Sequence, residues 1–396
     1  MLEREALRNV EVMWLLSKLA PDFKTIADFR KDNLSAIKAV CRQFTLLCKR
    51  LDLFGGELVA IDGSKFRAVN SRKQNFNPTK LARIMKSIDE RIAAYLVEME
   101  RQDAVEPVVA KPTVEELQTK LNQLKERKQF HQSLAEELKN SGEQEVSLTD
   151  PDSRLMSVGQ GLDVCYNVQT AVDSKHKLIV HHEVTNAHTD QEYLVPMATT
   201  AKQVLDVERL EVVADKGYYS GEEIKKCEEQ SIITYIPKAH VSPKLKKELF
   251  TKDDFTYDLA TDIYTCPAGE QLTHRCTTTE RKRVKMRYYR TAACKICKVR
   301  SHCTESKHGR LIKRLVDEAV LERMAERLKA NPEKMKLRKQ LVEHPFGTMK
   351  RGMNQGYFLL KGINKVAGEM SLTVMAYNIK RVLSIVGVQE MIRAVA

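Results

Sequence analysis

The sequence predicts an α/β protein with a mixed sheet and flanking helices. Two short Leu/Val-rich runs, LVAID (Leu58 to Asp62) and LEVVAD (Leu210 to Asp215), each end in an aspartate with a glycine close behind. Amphipathic helical patterns lie before, between and after them, and from Asp163 the apolar period changes from helical to alternating. Strands that recur between helices build one sheet. In open α/β sheets ligands gather beyond the carboxyl ends of strands, so Asp62 and Asp215 are the first candidate site residues.

Residues 5 to 20 read as an amphipathic helix (Leu7, Val10, Trp14, Leu15) stopped by Pro21. A second helix is expected from about Leu34 to Leu53, ending at Gly55-Gly56. The strand at Leu58 follows, with Asp62 at its end; Asp62-Gly63 is equally a hairpin-turn signal. Asn77-Pro78 opens a helix with Leu81, Ile84, Ile88, Ile92 and Leu96 on one face. After a polar break from Asp103 to Pro112, Thr113-x-x-Glu116 is a capping box for a helix bearing Leu117, Leu121, Leu124, Leu134 and Leu138. These two helices are expected to form an antiparallel hairpin whose apolar stripe is core or a partner surface. Val164 to Asp173 and His176 to Val184 flank Ser174-Lys175 as a β-hairpin. A helix from about Asp190 to Leu205, the strand at Leu210, a helix from Ser220 and a strand from Ile232 to Pro237 follow. Residues 238 to 316 lose this order, being polar, basic and cysteine-bearing. A helix from Glu318 to Ala330 leads to Asn331-Pro332, which starts another, MKLRKQLVEHPFGTMK. Glu343 and Lys350 lie on nearly the same face of it, roughly 10 Å apart along the axis. A carboxylate there suits a hard divalent cation and the lysine a phosphate; the plainer reading pairs Glu343 with Lys339 on a solvated face. Pro345 should kink the helix just past Glu343. A last helix, about Ile363 to Ile385, closes the core.

The 396 residues carry a net charge of +13 and are 42% hydrophobic and 30% charged, a soluble globular composition. No apolar run approaches ~18 residues and the first residues are too acidic for a signal peptide, so the expectation is an intracellular chain without a membrane span. Between Thr277 and Arg314, 13 Lys/Arg face two acids, Glu280 and Glu305, so this window alone carries +11. Such a patch, with Tyr288 and Tyr289 interleaved, implies a polyanionic partner, most simply a nucleic-acid backbone.

Acids fixed on separate elements are what two-metal phosphoryl chemistry requires, since two cations about 3.5–4 Å apart must be gripped from different directions. AIDGSKF (Ala60 to Phe66), TDPDSRLM (Thr149 to Met156), YNVQTAVD (Tyr166 to Asp173), ADKGYYS (Ala214 to Ser220) and VEHPFGTMK (Val342 to Lys350), in this order, resemble the bacterial insertion-sequence DDE transposases. The resemblance runs from Glu3 to about Gly387. It implies an RNase H-like core, a helical hairpin inserted after the first strand and a basic, cysteine-containing insertion before the catalytic helix. It further implies Asp62, Asp215 and Glu343 as a Mg²⁺ (or Mn²⁺) triad that cleaves transposon ends and joins the freed 3′-hydroxyl to target DNA. Lys350 and, more approximately, Arg338 would contact the transposon end, with Arg281, Lys282 and Arg283 of the basic window as further DNA contacts. The tyrosine that related chains carry ahead of the glutamate is absent here. Expected regions are 1–56, helical and shortened relative to the family; 57–75, the strand of Asp62; 76–145, the hairpin; 146–237, the core with Asp215; 238–330, the basic insertion; and 331–396, the helices with Glu343 and the C-terminus. A homodimer on DNA in the bacterial cytoplasm, at the nucleoid, fits this role. The competing expectations are a DNA-binding remnant or regulator that has lost transposition, and a nuclease of the same fold.

Cys266, Cys294, Cys297 and Cys303 have the spacing C-x27-C-x2-C-x5-C, and four thiolates with one CxxC suit a structural Zn²⁺. An iron–sulfur cluster takes the same ligands, and Cys276 and His302 are alternates. Cys41, Cys48, Cys165 and Cys227 lie in apolar periodic segments and are expected in the core. His344 is expected to pack rather than to touch substrate.

Overall fold

The computed structural model describes residues 2–103, 114–238, 248–280 and 284–395. Four helices come first: α1 (Leu2–Arg8), α2 (Val10–Leu15), α3 (Phe23–Asp32) and α4 (Leu34–Arg50). The single helix expected over 5 to 20 is broken at Asn9, whose side chain accepts from the Glu11 and Val12 amides and so caps a new helix. Leu7, Val10, Trp14 and Leu15 are exposed rather than packed. Helix α3 has no counterpart in the sequence-based expectation; the Asp22 carboxylate caps it through the Thr25 amide.

The chain then enters β1 (Leu58–Arg67), which runs five residues past Asp62 instead of turning there. A short pair, β2 (Asn75–Phe76) and β3 (Val146–Ser147), brackets the helices α5 (Pro78–Asp103) and α6 (Val114–Ser141), which pack against each other. The capping box at Thr113 and most of the preceding break lie outside the described residues. Next come β4 (Arg154–Val158), β5 (Gly161–Asp173) and β6 (Ile179–Thr185), the last two forming the expected antiparallel hairpin. Helix α7 (Leu194–Leu205), strand β7 (Leu210–Val213), helix α8 (Gly221–Glu229) and strand β8 (Ile232–Tyr235) complete the alternating part.

These strands form one mixed sheet in the order β4-β5-β1-β7-β8, with β6 also on β5. Strand β1 is antiparallel to the long β5, and that pairing (Asp62 opposite Thr170, Arg67 opposite Cys165) carries it beyond Asp62. It is parallel to β7, which is parallel to β8. The two-residue period of β1 and β7 sorts side chains between faces. Val59, Ile61, Val212 and Ala214 join the core under α7 and α8, whereas Leu58, Ala60 and Val213 pack against Leu341 and Val342 on the other face.

Residues 248–316, expected to lack regular order, contain a second sheet. Strands β9 (Thr256–Asp258), β10 (Ile263–Thr265), β11 (Gln271–Glu280), β12 (Val284–Arg290) and β13 (Ile312–Leu315) pair antiparallel in the order β13-β12-β11-β10-β9. Its core is small: Phe255, Tyr264, Leu272, Tyr289 and Ile312, with Tyr264 and Tyr289 edge to face at 5.1 Å. Few apolar residues suffice because most of the sheet is polar and exposed, so no hydrophobic run marks its strands.

Helix α9 (Glu318–Ala330) packs on α8 and β8, and α10 (Glu333–Gly347) lies across β1 and β7. Helix α10 continues through Pro345, and its irregularity comes three residues later as a π turn, Thr348–Gly352. Helix α11 (Ile363–Val395) is interrupted at Gly387 (φ 80°) and packs on α4 and β6. Cys48, Cys165 and Cys227 are buried and Cys41 half-buried, in line with core positions. Among the described residues no helix is long and apolar enough to cross a membrane.

Candidate active site

Asp62 and Asp215 stand on adjacent parallel strands. The register pairs Ala60 with Val213, so two residues further along both chains the carboxylates reach the same end of the sheet, on the face covered by α10. Asp215 lies just past β7, where it caps a single 3-10 turn (Lys216–Tyr218) and accepts from the Gly217 amide at 2.7 Å. Asp62 accepts from the Gly63 amide at 3.0 Å and meets the Arg338 guanidinium of α10 at 3.4 Å.

The electrostatics are unbalanced. Burial pushes the Asp62 carboxyl up from 3.8 to about 6, Arg338 pulls it down, and the charges of Asp215 and Asp190 push it up again. A half-buried carboxylate with two acids near it and one guanidinium in contact still lacks positive charge. That is the environment in which a cation is favourable.

Asp190, absent from the sequence-based set, organises the opposite face. Its Oδ1 accepts from the Asn167 and Gln169 side-chain amides, each at 2.6 Å, and lies 3.6 Å from the buried Lys65 ammonium. Among the described residues that ammonium makes no hydrogen bond, so Asp190 is its charge partner. Tyr218 donates to the Gln169 carbonyl from beneath. Gly63 permits this crowding: a Cβ there would collide with Gln169 Nε2 and fall 2.8 Å from Asp190 Oδ1. At Gly217 a Cβ would meet Asp215 Oδ1 at 2.8 Å and Asp190 Oδ2 at 3.7 Å, so these two carboxylates approach one point from two sides.

Glu343 is on α10 above the same face, but its side chain is 65% exposed and its partner is Lys339 at 3.8 Å. Residues 338, 341, 342 and 345 form the inward stripe of α10, and Glu343 stands on its flank. Among the described residues no three His, Cys, Asp or Glu side chains gather closely enough to hold one ion. Two of the three expected acids are therefore together and the third is turned away.

The expected DNA-contacting residues divide. Arg338 faces Asp62 rather than solvent. Lys350 donates to Ser64 Oγ and the Lys65 carbonyl, both at 2.7 Å, and covers the Phe66 ring; burial lowers its pKa. Arg281, Lys282 and Arg283 lie outside the described residues. His344 packs, its Nδ1 against the Tyr377 hydroxyl at 3.0 Å. In the second sheet, burial and then the charges of Cys294, Cys266 and Cys297 push the Cys303 thiol up to about 11. Among the described residues the four thiols do not close into a ligand set.

Residues 265–383 match the family described as a transposase DDE domain. That stretch is similar to transposase DDE domains. The match spans the four cysteines, all of α10 and most of α11, while Asp62 and Asp215 precede it. No curated protein and no solved structure matches the chain. A transposase DDE domain implies DNA as partner, and in this family a divalent metal is the usual cofactor.

Proposed function

We propose that this chain is a DNA transposase whose centre is Asp62, Asp215 and Glu343, cutting at transposon ends and joining the freed 3′-hydroxyl to target DNA. The observation that carries the reading is the pairing of Asp62 and Asp215 at one end of neighbouring parallel strands, beneath a helix of the transposase DDE domain. The strand order, three antiparallel strands leading into three parallel ones, supports an RNase H-like core, with α5–α6 and the second sheet as its insertions.

Asp62 and Asp215 fit a hard cation such as Mg²⁺ or Mn²⁺: both are oxygen donors, and Asp62 is half-buried in excess negative charge. Glu343 does not fit as it stands and must swing from Lys339 towards the sheet. When bound, divalent ions activate the attacking oxygen and stabilise the leaving 3′ oxygen. The protein's own groups fix where this happens. Gly63 and Gly217 give the backbone close approach, Asp190 holds Lys65 and the two amides still, and Arg338 offsets the Asp62 charge. Water and then the 3′-hydroxyl are the nucleophiles, so no covalent enzyme intermediate forms. Lys350, once released from Ser64, is placed to take a phosphate near Asp62, and Arg281, Lys282 and Arg283 extend the contact to the backbone. Synapsis of two ends makes a homodimer on DNA the working assembly, in the cytoplasm at the nucleoid. A structural Zn²⁺ on Cys266, Cys294, Cys297 and Cys303 requires the Cys294–Cys297 turn to close on the other two thiols.

The test is cleavage of DNA carrying the sequences that flank the coding region, in Mg²⁺ or Mn²⁺. Nicked ends and joined products are expected from the parent and neither from Asp62→Asn or Asp215→Asn. Cleavage without joined products would leave a nuclease, and binding without cleavage a regulator.

A further inference from the structure

Between the segment that follows β1 and the helices α5 and α6 is a cleft of about 610 Å³. Arg72, Lys73, Lys80 and Arg127 line it with Phe130 and His131, and among the described residues no Asp or Glu does. Four cations around one cleft repel one another unless an anion is present. Lys80 is fixed there: its ammonium donates to the carbonyls of Arg72, Lys73 and Asn75 at 2.7, 3.1 and 2.6 Å and sits 4.4 Å above the Phe76 ring. Among the described residues Arg72, Lys73 and Arg127 make no ion pair, and all three are exposed.

The aromatic side of the cleft supplies a second observation. His131 is 5% exposed, and burial lowers its pKa, with Arg127 and Lys80 lowering it further. Phe130, half-exposed, and Phe76 pack against the imidazole, each with its ring centroid 5.4 Å away. Cations flanking an open aromatic face form a binding surface for a single nucleic-acid strand: phosphates on the cations, a base on the ring.

We propose that this cleft holds a single-stranded stretch of DNA, its phosphodiester backbone on Arg72, Lys73 and Arg127 and a base stacked on Phe130. The proposal rests on the reading of the chain as a DNA-processing protein and adds a subsite on different elements from Asp62 and Asp215.

The experiment is fluorescence anisotropy of the full chain with labelled single-stranded and duplex oligonucleotides in EDTA across a salt series. It compares the parent with Arg127→Glu, Phe130→Ala and the active-site variant Asp62→Asn. Residues 127 and 130 are exposed, and unchanged melting curves would confirm that their variants fold. Single-strand affinity is expected to fall about tenfold in Phe130→Ala. In Arg127→Glu it should also fall, with a salt slope shallower by about 0.7 for each phosphate no longer neutralised. Asp62→Asn, which removes a negative charge from the other site, should lose no single-strand affinity. Unchanged affinity and slope in both cleft variants would overturn the proposal. So would inorganic phosphate that protects the parent thermally through Arg127 while leaving oligonucleotide binding untouched, since the cleft would then take the free ion. Cleavage by Asp62→Asn together with lost binding in the cleft variants would sink the active-site reading and leave the cleft standing.

Discussion

Replacing Asp62 by asparagine should make the protein more stable while removing its chemistry. Burial and the neighbouring acids move this carboxyl from 3.8 to about 6 against the pull of Arg338. At ~1.4 kcal/mol per tenfold change in acidity, ionising it in the folded chain costs about 3 kcal/mol. The folded state holds this proton more tightly than the unfolded chain does. Stability therefore falls as pH rises from about 4 to about 6, and the penalty is complete above that. Asparagine keeps the shape and the bond from the Gly63 amide but carries no charge. Arg338 loses its partner in the same change, so about 3 kcal/mol is the ceiling. The assay is urea unfolding of parent and Asp62→Asn in EDTA at about pH 7.5 and about pH 4. The gain should appear at the higher pH and shrink towards zero at the lower. Mg²⁺ should stabilise the parent and not the variant. No gain at about pH 7.5, or an equal gain at both pH values, would refute the electrostatic account of this centre.

Glu343→Ala should abolish cleavage yet shift unfolding by less than ~0.5 kcal/mol, because the side chain is exposed and its ion pair is with the equally exposed Lys339; retained cleavage in a substrate assay removes Glu343 from the centre. Asp190→Asn should cost about 3 kcal/mol in urea unfolding, since it strands the buried Lys65 ammonium, and Lys65→Met in the same chain should restore most of it. Metal analysis of purified protein should read about one zinc per chain, with chelation exposing four additional thiols to a colorimetric reagent; protein free of zinc and of iron would end the tetrathiolate assignment.

The α/β class and the pairing of Asp62 with Asp215 were legible because each aspartate closes a short apolar run, a pattern that parallel strands write into sequence. Asp190 was not, since it lies in a polar loop before α7 with no run to mark it. A signal was present all the same: Asn167 and Gln169, two residues apart in an otherwise apolar strand, place two amides on one buried face, and buried amides need a partner. The orientation of Glu343 also escaped. Spacing along α10 relates it to Lys350, but which stripe faces the sheet is decided by Leu341 and Val342 packing on Ala60 and Val213. The second sheet was invisible for the converse reason, its strands burying too little to alternate clearly.

That sheet leaves the main one after β8, and the chain returns through α9, which packs on β8 and α8. Departure and re-entry thus share one neighbourhood of the scaffold. A unit tethered at one spot can be lengthened, shortened or exchanged between related proteins without redrawing the floor on which Asp62 and Asp215 rest. On the proposed reading, diversification of what the protein grips is thereby uncoupled from preservation of how it cuts.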